Sequence, residues 1–334
     1  MIVVAGFNSA IDKRIDIDTL SAGTLHRAGS MVAAPGGKGL HVAQTIAALG
    51  AEVHLVGLID QAHRDLFETT LRARGVTFHG IVVPAIRTCL AIRERNGRIT
   101  ELLEPGPSLD DSTVDMLMNT FRTLAARAKI AVLSGSVPPG CPRDIYGTLV
   151  RDTQAHGVRC LVDTSGDALC AAIEARPYLI KPNREETAML RGVSVVDRDD
   201  AVAAVQAFAA AGIQMPVVSM GELGALCPSE GGILHAIAPA VDAVNPVGSG
   251  DCMLGGIAYA LARGEAAAQA LRLGVACGAA NAASHDTGDA AAEYIAALSP
   301  RVEMRFFRLP VDPEPSTPNR ATTSGAGEHR NEQT

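Results

Sequence analysis

Two glycine-rich stretches carry the residues that could do chemistry. The first is Asn245-Pro246-Val247-Gly248-Ser249-Gly250-Asp251, which opens straight into the apolar run Cys252–Leu261. Small residues ahead of a helix leave backbone N–H groups free to converge on one point, and the helix N-terminus adds positive potential there. Such a turn is an anion hole able to neutralise a phosphoryl group in transfer. An aspartate on its rim could take the proton of an attacking hydroxyl. Read locally, Asp251 serves equally well as an N-cap closing a glycine turn. The second stretch is Pro35-Gly36-Gly37-Lys38-Gly39-Leu40-His41-Val42-Ala43, again at a helix start. It has neither the P-loop nor the dinucleotide-binding pattern, so its meaning comes from pairing with the first.

The elements that must position these stretches alternate in type. Ile2–Phe7, Val53–Ile59, Ile130–Ser134, Cys160–Asp163, Leu179–Lys181 and Val217–Met220 are short apolar runs of the kind that form buried strands. Between them, Leu40–Leu49, Arg64–Arg74, Ser112–Ala128, Arg143–His156 and Ala201–Ala211 have helical apolar spacing. That order predicts βαβ units and a mostly parallel sheet covered on both faces. Three stretches break the pattern. Ile11–Asp18 and Gly29–Ala34 read as half-exposed strands. Arg87–Arg95 and Arg98–Glu104 flank Asn96-Gly97, the dipeptide of a two-residue type I′ hairpin. A few exposed antiparallel strands beside a parallel core suggest a small sheet projecting as a lid, the alternative being a plain surface hairpin. From Val311 to Thr334, Pro, Ser, Thr, Gly and charge dominate, and this stretch reads as a disordered tail.

Composition narrows the function. Of 334 residues, 47% are hydrophobic and 19% charged, an ordinary globular balance for one large domain. The net charge of −7 without a basic block argues against nucleic acid or an anionic membrane as partner. Aromatics at 3% leave no stacking platform for single strands. Seven scattered cysteines without a CxxC pair fit free thiols in a reducing compartment. With no signal-like N-terminus and no run of membrane-spanning length, a cytoplasmic location is expected.

At this point the residues carry a resemblance. Gly36–Ala43 and Asn245–Ala260 resemble the two signature regions of the PfkB (ribokinase-like) carbohydrate kinases. Leu133–Gly140, Val162–Gly166, Ile180–Glu186 and Val218–Ala225 are similar to the phosphofructokinase branch of that family, and the likeness is collinear from Val3 to Glu303. It implies a three-layer α/β/α fold, with residues 1–10, 35–86 and 105–310 in the kinase domain and 11–34 and 87–104 in a β-sheet lid. Also implied are ATP and Mg²⁺ as cofactors and a ketohexose monophosphate as substrate. Asp251 inherits the role of catalytic base, with Gly248, Ser249 and Gly250 as the anion hole. Asp12 would grip sugar hydroxyls beside Gly36, Gly37 and Lys38. Arg27, Arg87 and Ser136 would meet the substrate and its phosphate, although arginines on edge strands are also common as ordinary surface charge. On the nucleotide side the resemblance places Lys181, Asn183, Ser219, Gly221, Gly224 and Asn281, the last beside the adenine. Glu186 and Asn183 would act on Mg²⁺ through water.

The chain departs from the family pattern at two positions. His41 stands where the family commonly has Asn, which touches substrate identity more than reaction type. Pro246 replaces a common Thr and removes an N–H and a hydroxyl near the phosphates. A kinase of an unphosphorylated sugar or nucleoside is the nearest alternative function, and a non-catalytic sugar-phosphate sensor a more distant one. A dehydrogenase is disfavoured because no Rossmann fingerprint follows the first strand. Exposed lid edges invite a homodimer.

Overall fold

Ile2-Val3-Val4-Ala5 is apolar on both faces, the pattern of a strand covered from two sides. In the computed structural model, which describes residues 1–308, it forms β1 (Ile2–Gly6) in the interior of a parallel sheet. The chain continues through β2 (Ala10–Ile17), β3 (Ser30–Gly36), α1 (Lys38–Ala48), β4 (Val53–Ile59), α2 (Arg64–Ala73) and β5 (Val76–Val82). Then follow β6 (Arg87–Glu94), β7 (Ile99–Leu103), α3 (Asp111–Ala125), β8 (Ile130–Ser134), α4 (Ile145–Ala155), β9 (Arg159–Asp163), α5 (Gly166–Glu174) and β10 (Leu179–Ile180). The last part comprises α6 (Arg184–Arg191), α7 (Arg198–Ala210), β11 (Val218–Ser219), β12 (Ala225–Ser229), β13 (Gly232–Ile237), α8 (Ser249–Ala262), α9 (Ala267–Ala282), α10 (Ala292–Leu298) and β14 (Glu303–Arg308).

Six strands form the central sheet in the order β10-β9-β8-β1-β4-β5, every pair parallel. One helical layer is built from α1, α8 and α9, which pack on one another, and a second from α3, α4 and α5. This is the expected α/β fold, a parallel sheet between two layers of helices. A four-stranded antiparallel sheet, β11-β12-β13-β14, extends it. The join is made by backbone bonds from Met215 N to Tyr178 O and from Val217 N to Ile180 O, both 2.8 Å. The sequence reading had no strands at β12, β13 and β14. Pro228 and the paired glycines Gly231 and Gly232 obscure the alternation in that hairpin.

The lid sheet has the order β3-β2-β6-β7. Its strands were expected to be antiparallel, yet β2 and β6 run parallel. Both follow parallel core strands, β1 and β5, out of the same edge of the central sheet, so they leave in the same direction. The Asn96-Gly97 hairpin also differs from expectation. Gly97 has φ +86° but Asn96 does not have positive φ, so the turn is not type I′. Glu94 pairs with Arg98 and Gly97 N donates to Glu94 O, which makes a three-residue loop ending on a left-handed glycine. The residues read as a disordered tail lie outside those described.

The approach of α1 to β1 depends on two glycines. A Cβ built on Gly39 would lie 2.4 Å from Gly6 Cα, so the start of α1 can sit on the end of β1 only if residue 39 has no side chain. Gly39→Ala should therefore destabilise the fold by about 1–3 kcal/mol, the usual cost of overpacking, read as a lower urea midpoint at unchanged m-value.

Candidate active site

The two glycine-rich stretches lie at the starts of α1 and α8, and Asp163 and Lys181 stand at the carboxyl ends of β9 and β10, the edge where open α/β sheets place their ligands. At the α8 end, Gly248 takes the left-handed conformation (φ +84°) as N-cap, and a Cβ there would lie 2.9 Å from Gly288 N. Asp251 is in the first turn of α8 and only 4% exposed. Its side chain does not cap the helix, which removes the bland reading of this residue. The turn is held from beneath. Asn281 donates from Nδ2 to Val247 O at 2.8 Å and to Ser249 Oγ at 3.0 Å. Asn245 accepts from Val247 N and donates to Thr287 Oγ1, both at 3.1 Å. Asn281 itself is fully buried on α9 and spends its donors on this loop.

A cation lies against the same turn. Lys181 follows β10 and is buried, with Nζ 3.1 Å from Asp163 Oδ2 at the end of β9. A Cβ on Gly250 would approach that ammonium to 3.1 Å, so glycine there keeps the backbone close to it. Lys38, exposed in the open cleft, is held protonated well above the ordinary lysine range by the Asp163 carboxylate first, then by Asp251 and Glu186, against the cost of desolvation. Solvent around Lys38 screens each of these attractions.

On the opposite side stands Asp12 of β2. Its carboxyl group lies over Gly36, where a Cβ would be 2.0 Å from Asp12 Cγ, and Gly37 N donates to its Oδ2 at 3.4 Å. His41 joins the two halves: Nε2 is 3.2 Å from Asp12 Oδ2 and Nδ1 is 3.1 Å from Asp251 Oδ2. Burial by itself would lower the pKa of this imidazole, but hydrogen bonds to Asp12 and Asp251 outweigh it and raise the pKa to about 9.

A small pocket beside these groups is lined by Asn8, Gly37, Lys38, Gly135 and Arg87. Arg87 donates from Nε to Asn8 O and from Nη1 to Glu104 O, both at 3.1 Å, leaving other guanidinium N–H groups of its five for a ligand. Asn8 donates to Pro105 O at 2.9 Å and to Ser136 Oγ at 3.0 Å, which places Ser136 at this end. Arg27 is not among the residues lining the cleft; it lies on the exposed connection between β2 and β3.

The nucleotide-side residues have structural tasks of their own. Asn183 and Glu186 form a reciprocal capping box on α6: Asn183 Oδ1 accepts from Glu186 N at 2.8 Å, and Glu186 Oε2 accepts from Asn183 N at 2.9 Å. Glu186 Oε1 is left over. Ser219 is buried at the end of β11. Gly221 (φ +60°) faces open space, whereas a Cβ on Gly224 would lie 1.9 Å from Ala236 O. The glycine at 224 is thus explained by the chain's own packing.

The family model for the pfkB family carbohydrate kinases matches residues 5–293. The chain belongs to that family. It is 36% identical over 265 residues to a 1-phosphofructokinase of Xanthomonas campestris pv. campestris, covering 78% of this chain and 83% of the relative. The phosphofructokinase-2 of Escherichia coli, solved in complex with substrates and products, superposes with a TM-score of 0.84 at 26% identity, covering 90% of this chain and 99% of the other. A ribokinase of Thermotoga maritima superposes with a TM-score of 0.72 at 21% identity, covering 89% of this chain and 98% of the other, a likeness of fold.

As a carbohydrate kinase, the chain transfers a phosphoryl group to a sugar hydroxyl. Three residues with a part in this geometry were missed from sequence. Asp163 was quoted within a motif but given no partner. Asn8 and Asn245 are polar residues beside glycine or proline turns, and only the folded chain shows what they hold. The buried Lys181–Asp163 pair yields a clear expectation. Lys181→Met should leave buried Asp163 without the ammonium that touches it, Lys38 alone remaining nearby, and cost about 3–5 kcal/mol in denaturant titrations. Adding Asp163→Asn to that variant should restore much of the loss, because the orphaned charge is gone.

Proposed function

We propose that this kinase transfers the γ-phosphoryl group of ATP to a free hydroxyl of a ketohexose monophosphate, giving a bisphosphate. The observation that carries the reading is the single imidazole between Asp12 and Asp251. It sets a polyol-gripping carboxylate and a base one ring apart, at the mouth of the Gly248–Gly250 turn. The 1-phosphofructokinase relative supports a phosphorylated ketose, as does the Arg87 guanidinium lining the pocket with Gly36, Gly37 and Lys38. The fructose 1-phosphate and tagatose 6-phosphate types both fit.

In the reaction, Asp251 orients the hydroxyl. The hydroxyl oxygen forms a bond to the γ-phosphorus as the bond to the leaving ADP oxygen breaks, and the hydroxyl proton ends on Asp251. Backbone N–H groups of the turn and the Lys181 ammonium face the charge that develops on the phosphoryl oxygens. Among the described residues no cluster of metal-ligating side chains forms a cage. The leftover Glu186 Oε1 fits an ion shared with phosphates and water, as Mg²⁺ prefers. Such an ion would supply neutralisation of phosphate charge, with Glu186 and Asn183 holding its water. The lid strands carry Asp12 and Arg87, so their closure over the sugar would exclude water.

One observation favours an unphosphorylated sugar instead: Arg87 is already tied to two carbonyl oxygens. ADP release with Mg-ATP across fructose 1-phosphate, fructose 6-phosphate, tagatose 6-phosphate, fructose and ribose decides between the readings. We expect one phosphorylated ketose to dominate, Arg87→Ala to raise its KM at least tenfold, and Asp251→Asn to lower kcat by about 10²–10⁴ with folding intact. Preference for free sugars would refute the phosphate reading, and near-normal turnover of Asp251→Asn would refute the base.

The lid also exposes Met31, Val32, Leu102 and Leu103. A second copy of the chain, pairing through this sheet, would cover them. Sedimentation velocity should show a dimer at micromolar concentration that Met31→Glu dissociates; a monomer in the unsubstituted protein would reject it.

A further inference from the structure

The mechanism above uses Asp12 and Asp251 and leaves His41 without a task. Its side chain is 6% exposed, and each ring nitrogen faces a carboxylate oxygen, at 3.1 and 3.2 Å. A neutral imidazole carries one N–H, so one of these contacts would set a nitrogen lone pair against an anion. Only the doubly protonated ring donates to both. The ring is also clamped: a Cβ on Gly288 would lie 2.2 Å from His41 Cδ2, so this glycine admits the imidazole to the space between the carboxylates. The contacts His41 makes to both carboxylates fall on Oδ2, as does the Gly37 N–H bond to Asp12.

We propose that His41 is a positioning residue: as an imidazolium it straps Asp12 and Asp251 together through their Oδ2 atoms and turns their Oδ1 atoms toward the sugar. The proposal deepens the kinase reading and rests on it for the role of Asp251. An asparagine, common at this position in the family, carries both its N–H donors on one short-armed nitrogen and cannot reach both ways from two separate nitrogens as the imidazolium does. The strap would make the sugar grip and the base move as one unit. It would also weaken Asp251 as a base. A loose phosphoryl-transfer transition state tolerates this, because little proton transfer is needed before the phosphorus bond breaks.

The charged surroundings agree. Asp12 faces the ring from β2 and Asp251 from α8, while Lys38 lies on α1 itself and Glu101 of β7 interacts with Asp12 and Lys38 across the cleft. On the loop that carries Gly288, Asp286 is paired with Arg14 at 3.0 Å and Asp289 with Arg74 at 2.8 Å. The two carboxylates therefore dominate, and they hold the imidazole protonated up to about pH 9. Because this folded pKa lies above the ordinary histidine value, the stability that the strap contributes is full below about pH 6.5 and is lost as pH rises through about 9.

Two measurements test the strap on the full chain. In ¹⁵N-edited spectra of the histidine rings, assigned with His41→Asn, His41 should carry both N–H protons at pH 7.5 and titrate near pH 9, and Asp12→Asn should lower that midpoint by about a unit or more. A midpoint at or below the ordinary histidine range overturns the proposal, whatever the substrate proves to be. On the substrate found in the panel above, kcat/KM should fall about tenfold per pH unit beyond pH 9. His41→Asn should abolish that limb while lowering kcat at pH 7.5 roughly tenfold. His41→Gln is the second variant, and an unchanged alkaline limb in either folded variant overturns the proposal. Failure of the base assignment would show separately, as retained turnover in Asp251→Asn.

Discussion

A carboxylate that must remain ionised inside a protein needs cations within a few ångströms, and the layout of this cleft follows from that requirement. Asp251 is buried beside His41, and Asp163 is buried against Lys181. Each of these acids would be left with its desolvation cost uncompensated if its partner were removed. The charges therefore come as pairs supplied by different elements, α1 with α8 and β9 with the segment after β10, and the complete site forms only when these elements pack together. The overall negative charge of the chain does not prevent anion binding here, because Lys38, Lys181 and Arg87 all gather at one edge of the sheet.

Glycine is what lets these charges sit so close to the backbone. Gly36 lies beneath Asp12 and Gly288 against His41, where a methyl group would collide with the functional side chain, and Gly250 lies beside Lys181, where a methyl group would crowd the ammonium. The glycine-rich look of the two signature stretches thus has two origins. Some positions free N–H groups for a ligand, as at the start of α8. Others, such as Gly39 and Gly224, only make room for a neighbouring segment of the same chain.

Much of this was legible in the residues themselves. Strands buried on both faces, such as Val53–Ile59 and Ile130–Ser134, are unbroken apolar runs, and the structure places them as expected. Asp251 and its turn were found from glycine spacing and a helix start, and Asp12 through resemblance. What escaped depends on distant partners. Asn281 reads as a polar residue in an alanine-rich helix, and nothing in its neighbourhood says that it supports a loop near residue 247. The β12–β13 hairpin lacks alternation because β12 is packed against both α7 and α9, so its first residues are buried without a break, and Pro228 interrupts the strand. The direction of β6 in the lid was misjudged because pairing is set by which edge of the core the strands leave, a property of topology.

His41 and Asp251 touch although they are 210 positions apart in the chain. On a ribosome adding about 5–20 residues per second, roughly 10–40 s separate their synthesis. For the later part of that interval, once β7 has been made, the nascent chain has β1, β2, α1 and all four lid strands. It has no base and no anion hole, because α8 has not yet been made to dock against α1. A chain interrupted between β7 and α8 carries the residues of the sugar side but has nothing with which to transfer or waste a phosphoryl group. The order of elements along the sequence keeps the chemistry silent until nearly the whole fold is present.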